Sequence, residues 1–387
     1  MEENFTALDI FHPIIKEWFI TTKGNPTHIQ SQVWPLVSKD EHVLISAPTG
    51  SGKTLAAFLW CMHLYITKQL PLGITGVIYV SPLKALNNDV QKNLIKPYDE
   101  LKNLFKEQGN SIPDIQIVTR SGDTPQTERR RMLQNPPEIL ITTPESLNIL
   151  LTNSKNIKLF THLHNVIIDE VHSIANDKRG VHLITAIERL TRYSGEFQRI
   201  ALSATVFPLE RVGDFIGGYL YEHVKYKKRS LKIIQSKDEK HYDIKVSFPE
   251  SGDESEQFEN ISIKSIWPDV IRECTKHIKN HKSTLIFVNN RRFAEKITRL
   301  INEEADEQLA YAHHGSLSKE IRLLIEDKLK KGELKAIVAT NSLELGIDIG
   351  DLDLVLLIES PASIMSAIQK VGRSGHTVGV SSKGIYY

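Results

Sequence analysis

Short β-branched runs recur along this chain, each separated from the next by a helix-length amphipathic stretch, and that alternation leaves few folds open to it. The runs at 77–80, 115–119, 139–142, 166–168 and 200–203 are apolar on both faces, which suits strands buried between two layers of helix in βαβ units. Beyond Thr205 the pattern loosens. The stretch 221–259 holds a basic run (Lys225, Lys227, Lys228, Arg229) and an acidic one (Glu250, Asp253, Glu254, Glu256), and it reads as a crossing segment followed by a surface loop. A second alternating series then begins, with strands at 284–288, 310–313, 336–339 and 354–358. The expected architecture is α/β: two tandem domains, 1–222 and 223–387, each a mostly parallel sheet flanked by helices.

At 387 residues and 40% hydrophobic content, each domain can build a substantial core. The 48 basic and 47 acidic residues nearly cancel, so a polyanion must be held by local groups and not by a chain-wide field. Cys61 and Cys274 are the only cysteines, too few for a cysteine zinc site or a disulfide framework. The first residues include Glu2, Glu3 and Asp9 and lack the basic and apolar regions of a secretory leader. No apolar run approaches a membrane span. A cytoplasmic protein with no membrane partner is the expectation.

Ala47-Pro48-Thr49-Gly50-Ser51-Gly52-Lys53-Thr54 follows the apolar run Val43, Leu44, Ile45 and opens an apolar helix-like stretch. Two glycines let the backbone curl so that successive amides point at phosphate oxygens. Lys53 can then reach the β- and γ-phosphates while the Thr54 hydroxyl meets Mg²⁺, and the new helix adds its N-terminal dipole. Ala47 stands where the strict pattern has glycine. Asp169-Glu170-Val171-His172 comes directly after Val166, Ile167, Ile168. A carboxylate at the C-terminal end of a parallel strand can orient Mg²⁺, the role read for Asp169. Glu170 is placed to accept a proton from the water that attacks the γ-phosphorus. An acidic pair at a strand end also caps helices; the phosphate loop upstream is what favours chemistry here.

Three further segments gain meaning only beside these. Ser203-Ala204-Thr205 closes another strand and could bridge the site to something bound across a cleft. Gln30 offers an amide donor and acceptor, the pairing that reads an adenine edge. Arg373, set between Gly372 and Gly375, suits the cation that phosphoryl transfer needs on its developing charge.

Together these segments resemble, in order and wording, the superfamily 2 helicases of DEAD/DEAH type. Gln30 matches the adenine-reading motif, 47–54 motif I, 169–172 motif II, 203–205 motif III and 369–376 motif VI. Ser81-Pro82-Leu83-Lys84-Ala85-Leu86 matches motif Ia, Thr143-Pro144-Glu145-Ser146 motif Ib, 285–291 motif IV and 339–348 motif V. The resemblance implies two RecA-like domains facing each other across ATP. Gln30, Thr49, Gly50, Ser51, Gly52, Lys53 and Thr54 would hold the nucleotide from the first domain, and Gly346, Asp348, Arg373 and His376 from the second. His172, Ser203 and Thr205 would couple the site to movement. Ser81, Lys84, Arg120, Gly122, Thr143, Asn289, Arg291, Gly315 and Thr340 would contact the nucleic-acid backbone. The Arg129, Arg130, Arg131 run and the lysines near Lys227 read as solvated faces.

Within that superfamily, the Asp-Glu-Val-His box, Arg120-Ser121-Gly122-Asp123-Thr124, the Thr-Pro-Glu-Ser-Leu run and the Gly-Arg-Ser-Gly-His ending are similar to the Lhr family. That resemblance implies an ATP- and Mg²⁺-dependent motor moving 3′ to 5′ along single-stranded DNA and unwinding duplexes or DNA–RNA hybrids, with DNA repair as its setting. His376 stands where many members carry a second arginine, which leaves the finger role to Arg373. The sequence ends at Tyr387, soon after motif VI, whereas Lhr proteins continue into further domains; a helicase core lacking C-terminal domains or a partner subunit is expected. RNA as the track, or a module that binds ATP and nucleic acid without unwinding, are the competing readings.

Overall fold

A computed structural model of the chain describes residues 7–48, 50–82, 90–204, 206, 208–222, 224–236, 241–248, 266–340, 343, 352–361, 363–374 and 381–387. It divides into two compact units, Met1–Asp238 and Glu239–Tyr387. In the first, the strands are β1 (His42–Ser46), β2 (Val77–Val80), β3 (Ile117–Arg120), β4 (Ile139–Thr142), β5 (Asn165–Ile168), β6 (Gln198–Ser203), β7 (Tyr219–Glu222), β8 (Lys225–Lys228) and β9 (Leu231–Gln235). Seven of them form one parallel sheet in the order β3-β4-β2-β5-β6-β1-β9. Strands β2, β4, β5 and β6 are buried along their whole length, which is what two-faced apolar runs require. The helix Lys53–Ile66 is apolar almost all round and almost wholly buried, packed between the sheet and the N-terminal helices; Trp34 Nε1 donates to the Ala56 carbonyl (3.1 Å).

The second unit carries β10 (Tyr242–Val246), β11 (Thr284–Phe287), β12 (Ala310–His313), β13 (Ala336–Ala339), β14 (Leu354–Leu357) and β15 (Ser382–Tyr386). They form a parallel sheet ordered β10-β15-β14-β11-β13-β12. Helices Trp267–Asn280 and Arg291–Ala305 bury one face each, through Val270, Ile271, Cys274 and Ile278 and through Ala294, Ile297 and Ile301.

The segment read as a crossing and a loop is the main correction. It contains β8, β9 and β10 and the end of β7. β9 bonds to β1 along its full length, His42 opposite Leu231 to Ser46 opposite Gln235, so the first unit runs on to Asp238 and not to 222. β10 pairs with β15 and belongs to the second sheet. The acidic run 250–256 lies outside the described residues. Among the described residues, no helix is long and apolar enough to cross a membrane.

Candidate functional site

Three strand ends and one helix start converge in the first unit. Strands β5, β6 and β1 are neighbours and finish at Ile168, Ser203 and Ser46. The phosphate loop is tied to β6 where it leaves β1: Ala47 N donates to the Ser203 carbonyl (3.1 Å) and Ser46 Oγ to that of Ala204 (3.3 Å). Gly50 (φ +85°) and Gly52 (φ +83°) then turn the chain into the helix that begins at Lys53. The left-handed backbone favours glycine at 52, and a Cβ there would stand 2.5 Å from Gln30 Nε2 and displace that amide. Lys53 Nζ donates to the carbonyls of Ala47 (2.6 Å) and Pro48 (2.7 Å), and Ser51 Oγ to that of Pro48 (2.8 Å). Thr54 is the second residue of the helix.

Gln30 does more than its sequence position suggests. Thr27 caps the helix His28–Val37 in a capping box, and Gln30 Oε1 accepts from Thr27 N–H (2.9 Å). Gln30 Nε2 reaches the Gly52 carbonyl (3.4 Å), and Thr27 Oγ1 donates to the Ser51 carbonyl (3.0 Å). The helix start is thereby pinned onto the phosphate loop.

Asp169 is buried. The Tyr79 hydroxyl, from β2, donates to its Oδ2, and Glu170 N donates to Oδ1 (2.9 Å). Burial, then the neighbouring Glu170 charge, hold the Asp169 carboxyl well above the usual carboxylate range; Tyr79, the Glu170 amide and Lys53 oppose that shift. Glu170 takes a left-handed backbone, φ +48°, a region a non-glycine residue enters only where its surroundings hold it. Here its carbonyl accepts from both Ser173 N (2.9 Å) and Ser173 Oγ (2.8 Å). His172 Nδ1 accepts from Ala204 N (2.9 Å) and lies 3.3 Å from Ser203 Oγ. Burial, then Lys53, lower the His172 pKa to about 4; the ring is neutral at pH 7 and carries its proton on Nε2, 3.2 Å from Glu170 Oε2 but not aligned for a hydrogen bond. Tyr79 escaped the sequence reading. Its signal was a single hydroxyl in an otherwise apolar strand.

Of the residues expected at the nucleic acid, Ser81 is buried, its N–H donating to the Thr142 carbonyl (3.1 Å). Thr143 caps the helix Pro144–Leu150, its hydroxyl accepting from Ser146 N (3.3 Å). Arg120 is buried and braces that turn, Nη1 donating to the Ser121 carbonyl (2.6 Å) and Ser146 Oγ (3.4 Å). Gly122 is exposed, its carbonyl accepting from Arg129 Nη2 (2.8 Å). Arg179, missed from the sequence, joins two of these segments by donating to the Pro82 carbonyl (2.9 Å) and to Glu145 Oε1 (2.7 Å).

In the second unit, Arg291 Nη1 donates to Ser316 Oγ (2.8 Å), Asn289 Nδ2 to the Ser360 carbonyl (3.2 Å) and Thr340 N to the His313 carbonyl (3.3 Å). Gly315 is exposed with open space around its Cα, and His314 bridges its turn to the preceding helix Arg291–Ala305, accepting from Ser316 N (3.3 Å) and donating to Glu295 Oε1 (3.1 Å). Arg373 is buried just beyond the helix Ile364–Val371, its N–H donating to the Lys370 carbonyl (3.1 Å). Thr49, Lys84, Thr205, Gly346, Asp348 and His376 lie outside the described residues.

Residues 27–212 match the DEAD/DEAH box helicase family and residues 267–377 the helicase conserved C-terminal domain. The chain is 42% identical to the ATP-dependent helicase Lhr-Core of Methanothermobacter thermautotrophicus, over 97% of this chain and 43% of that protein. It is 40% identical to an Lhr helicase/probable uracil glycosylase of Mycolicibacterium smegmatis, over 97% of this chain and 26% of that one. A solved structure of Mycobacterium smegmatis helicase Lhr bound to ssDNA and AMP-PNP superposes with a TM-score of 0.85 at 42% identity, over 99% of this chain and 48% of the other. The two units are thus tandem RecA-like helicase domains. The chain spans less than half the length of these relatives.

Proposed function

The chain belongs to the DEAD/DEAH box helicases and is Lhr-like over both helicase domains, and on that premise we propose that it is an ATP-driven translocase moving 3′ to 5′ along single-stranded DNA and unwinding duplexes or DNA–RNA hybrids. Gly50, Ser51 and Gly52 present amides to the phosphates, and Lys53 takes phosphate oxygens in place of the carbonyls of Ala47 and Pro48. One buried carboxylate and one hydroxyl at a helix start form the sparse oxygen set that Mg²⁺ takes together with phosphates and water. Asp169 and Thr54 would hold the ion, which would supply positive charge to the phosphates. Glu170 takes a proton from the attacking water as the bond from the γ-phosphorus to the β–γ bridging oxygen breaks, yielding ADP and phosphate. Arg373 brings positive charge to the transferring group from the second domain, which makes turnover depend on domain closure.

One observation carries the coupling. His172 is bonded to the Ala204 amide and lies beside the Glu170 carboxylate, so the end of β6 and the general base share a single rigid ring. A change at the γ-phosphate therefore reaches the Ser203 segment directly.

The test is ATP turnover with matched single-stranded DNA and RNA oligomers across a salt series, with Glu170→Gln as the contamination control. DNA is expected to stimulate turnover, less so as salt rises, because phosphate contacts release counterions. Stimulation by neither polymer would overturn the motor reading; stimulation by RNA alone would overturn the DNA assignment.

A further inference from the structure

The hairpin β7–β8 belongs to neither sheet. Its register sets Tyr219 opposite Lys228, Leu220 opposite Lys227, Tyr221 opposite Tyr226 and Glu222 opposite Lys225. Alternation places Tyr219, Tyr221, Tyr226 and Lys228 on one face and Leu220, Glu222, Lys225 and Lys227 on the other. The three tyrosines are 57%, 64% and 76% exposed, and the rings of Tyr221 and Tyr226 lie 5.1 Å apart. A lone two-stranded ribbon is marginal in water, yet this one stands on a buried foundation. Arg229 N closes its base on the Gly218 carbonyl (3.1 Å). The Arg229 guanidinium is forked onto Glu196 (2.9 and 2.9 Å) and onto Glu188 (2.8 and 3.1 Å), and Arg199 Nη1 donates to the same Glu188 (2.8 Å) and to the Ile216 and Gly217 carbonyls (2.8 and 3.0 Å). The first unit thus fixes the root of the hairpin firmly and leaves its aromatic and basic faces in water.

That foundation lies at the starts of β6 and β9, the end of the sheet opposite the phosphate loop and Asp169. We propose that the β7–β8 hairpin is a second contact for single-stranded nucleic acid on the first unit, separate from the backbone contacts expected at the strand ends. Tyr221 and Tyr226 supply rings on which bases stack, and Lys225 and Lys227, on the opposite face of the same narrow ribbon, add the positive potential that draws the phosphates to it; aromatic rings combined with positive charge are how proteins hold single strands without reading sequence. The charge complementarity favours a polyanion over an apolar protein partner. The inference rests on the proposed function, since it adds a contact for the same track.

The test compares Tyr221→Ala/Tyr226→Ala with the unaltered protein, measuring affinity by anisotropy for a short single-stranded oligomer and for one several times longer, each as DNA and as RNA. Both side chains are exposed, so the melting temperature and the unstimulated ATPase rate should not change. The unaltered protein should prefer the long oligomer, and the double variant should lose about tenfold in affinity for it while binding the short one as before. Lys225→Glu/Lys227→Glu should flatten the salt dependence for the long oligomer only. Equal binding of the long oligomer by variant and unaltered protein would overturn the proposal. So would equal weakening for both lengths, or a change confined to self-association. Should the unaltered protein bind no oligomer at all, the proposed function falls with it; should it bind and the variants match it, only the hairpin's role falls.

Discussion

The two ends of β6 hold buried charge in opposite ways. At its C-terminal end, Asp169 and Glu170 crowd two carboxylates together, and burial and mutual repulsion push the Asp169 carboxyl up. At its N-terminal end, Arg199 and Arg229 surround Glu188; burial alone would raise that carboxyl, but the two guanidiniums win and hold it below its ordinary range. Two Arg199 donors, Nε and Nη2, still lack a partner among the described residues. One end of the strand is thus left short of positive charge and the other is supplied with it. On the proposed function the first of these ends would receive Mg²⁺ and an arginine, and it is built with an excess of negative charge, whereas a joint that only holds is built nearly neutral.

The largest effect should come from removing the arginine that the proposed function assigns to ATP hydrolysis. Arg373→Ala is expected to slow ATP turnover by roughly 10³ to 10⁵ while ATP affinity, measured by equilibrium titration, stays nearly unchanged. Equal loss of binding and turnover would place Arg373 among ordinary ground-state contacts. At the other end the expectation reverses. Arg229→Met strands Glu196, leaves Glu188 to Arg199 alone, and should destabilise the first unit by about 2–3 kcal/mol in chemical denaturation. That is below the roughly 3–5 of a wholly buried pair, because both glutamates keep some solvent. Turnover per folded molecule should hold. If Arg229→Met left stability intact but slowed catalysis, the division of labour between the two ends would be wrong.

How much of this was legible in the sequence follows from how local each signal is. The phosphate loop could be read because its glycines, lysine and threonine act within eight consecutive residues, and the strands flanking it are apolar on both faces. Asp169 and Glu170 followed from their place at a strand end. Tyr79 did not, because its partner is 90 residues away and a tyrosine in a buried strand reads as packing. Arg229 reads in the sequence as the last member of a basic run in a crossing segment, yet it is buried against glutamates 33 and 41 residues upstream. For the same reason β9 and β10 were read as crossing and loop: each takes its place from a partner far along the chain, and their polar neighbours hide the apolar positions.

A smaller effect probes the charge imbalance itself. Because the folded state holds the Asp169 carboxyl above its unfolded value, folding takes up a proton between the two, and stability falls as pH rises from the ordinary aspartate range through the raised folded value. Asp169→Asn removes the ionisable group. It should raise the stability of the nucleotide-free protein at neutral pH and flatten that pH dependence, while abolishing ATP turnover. Glu188→Gln should do the opposite. Its depressed value gives stability that is present above the unfolded pKa and lost as pH falls through the folded one, so the variant should be less stable at neutral pH and lose less on acidification. Matching signs for the two variants would erase the contrast between the two ends.

The smallest effect concerns the tip of the hairpin that the arginine joint carries. Val224 is 84% exposed at φ +67°, a left-handed conformation that costs a β-branched residue roughly 1–2 kcal/mol and that hairpin turns normally assign to glycine or asparagine. Val224→Gly relieves that cost and gives back part of it in unfolded-chain entropy, leaving a gain of about 0.5–1 kcal/mol. The gain should be local. Amide exchange across β7 and β8 should slow several-fold, while β2, β5 and β6 exchange as before, because a ribbon joined to the domain only at its base opens without unfolding the sheet. Faster exchange in the variant would mean that the Val224 side chain holds the ribbon together. Slower exchange throughout the sheet would mean that the joint at Arg229 transmits the ribbon's stability into the core, and that the two ends of β6 are less independent than their charges suggest.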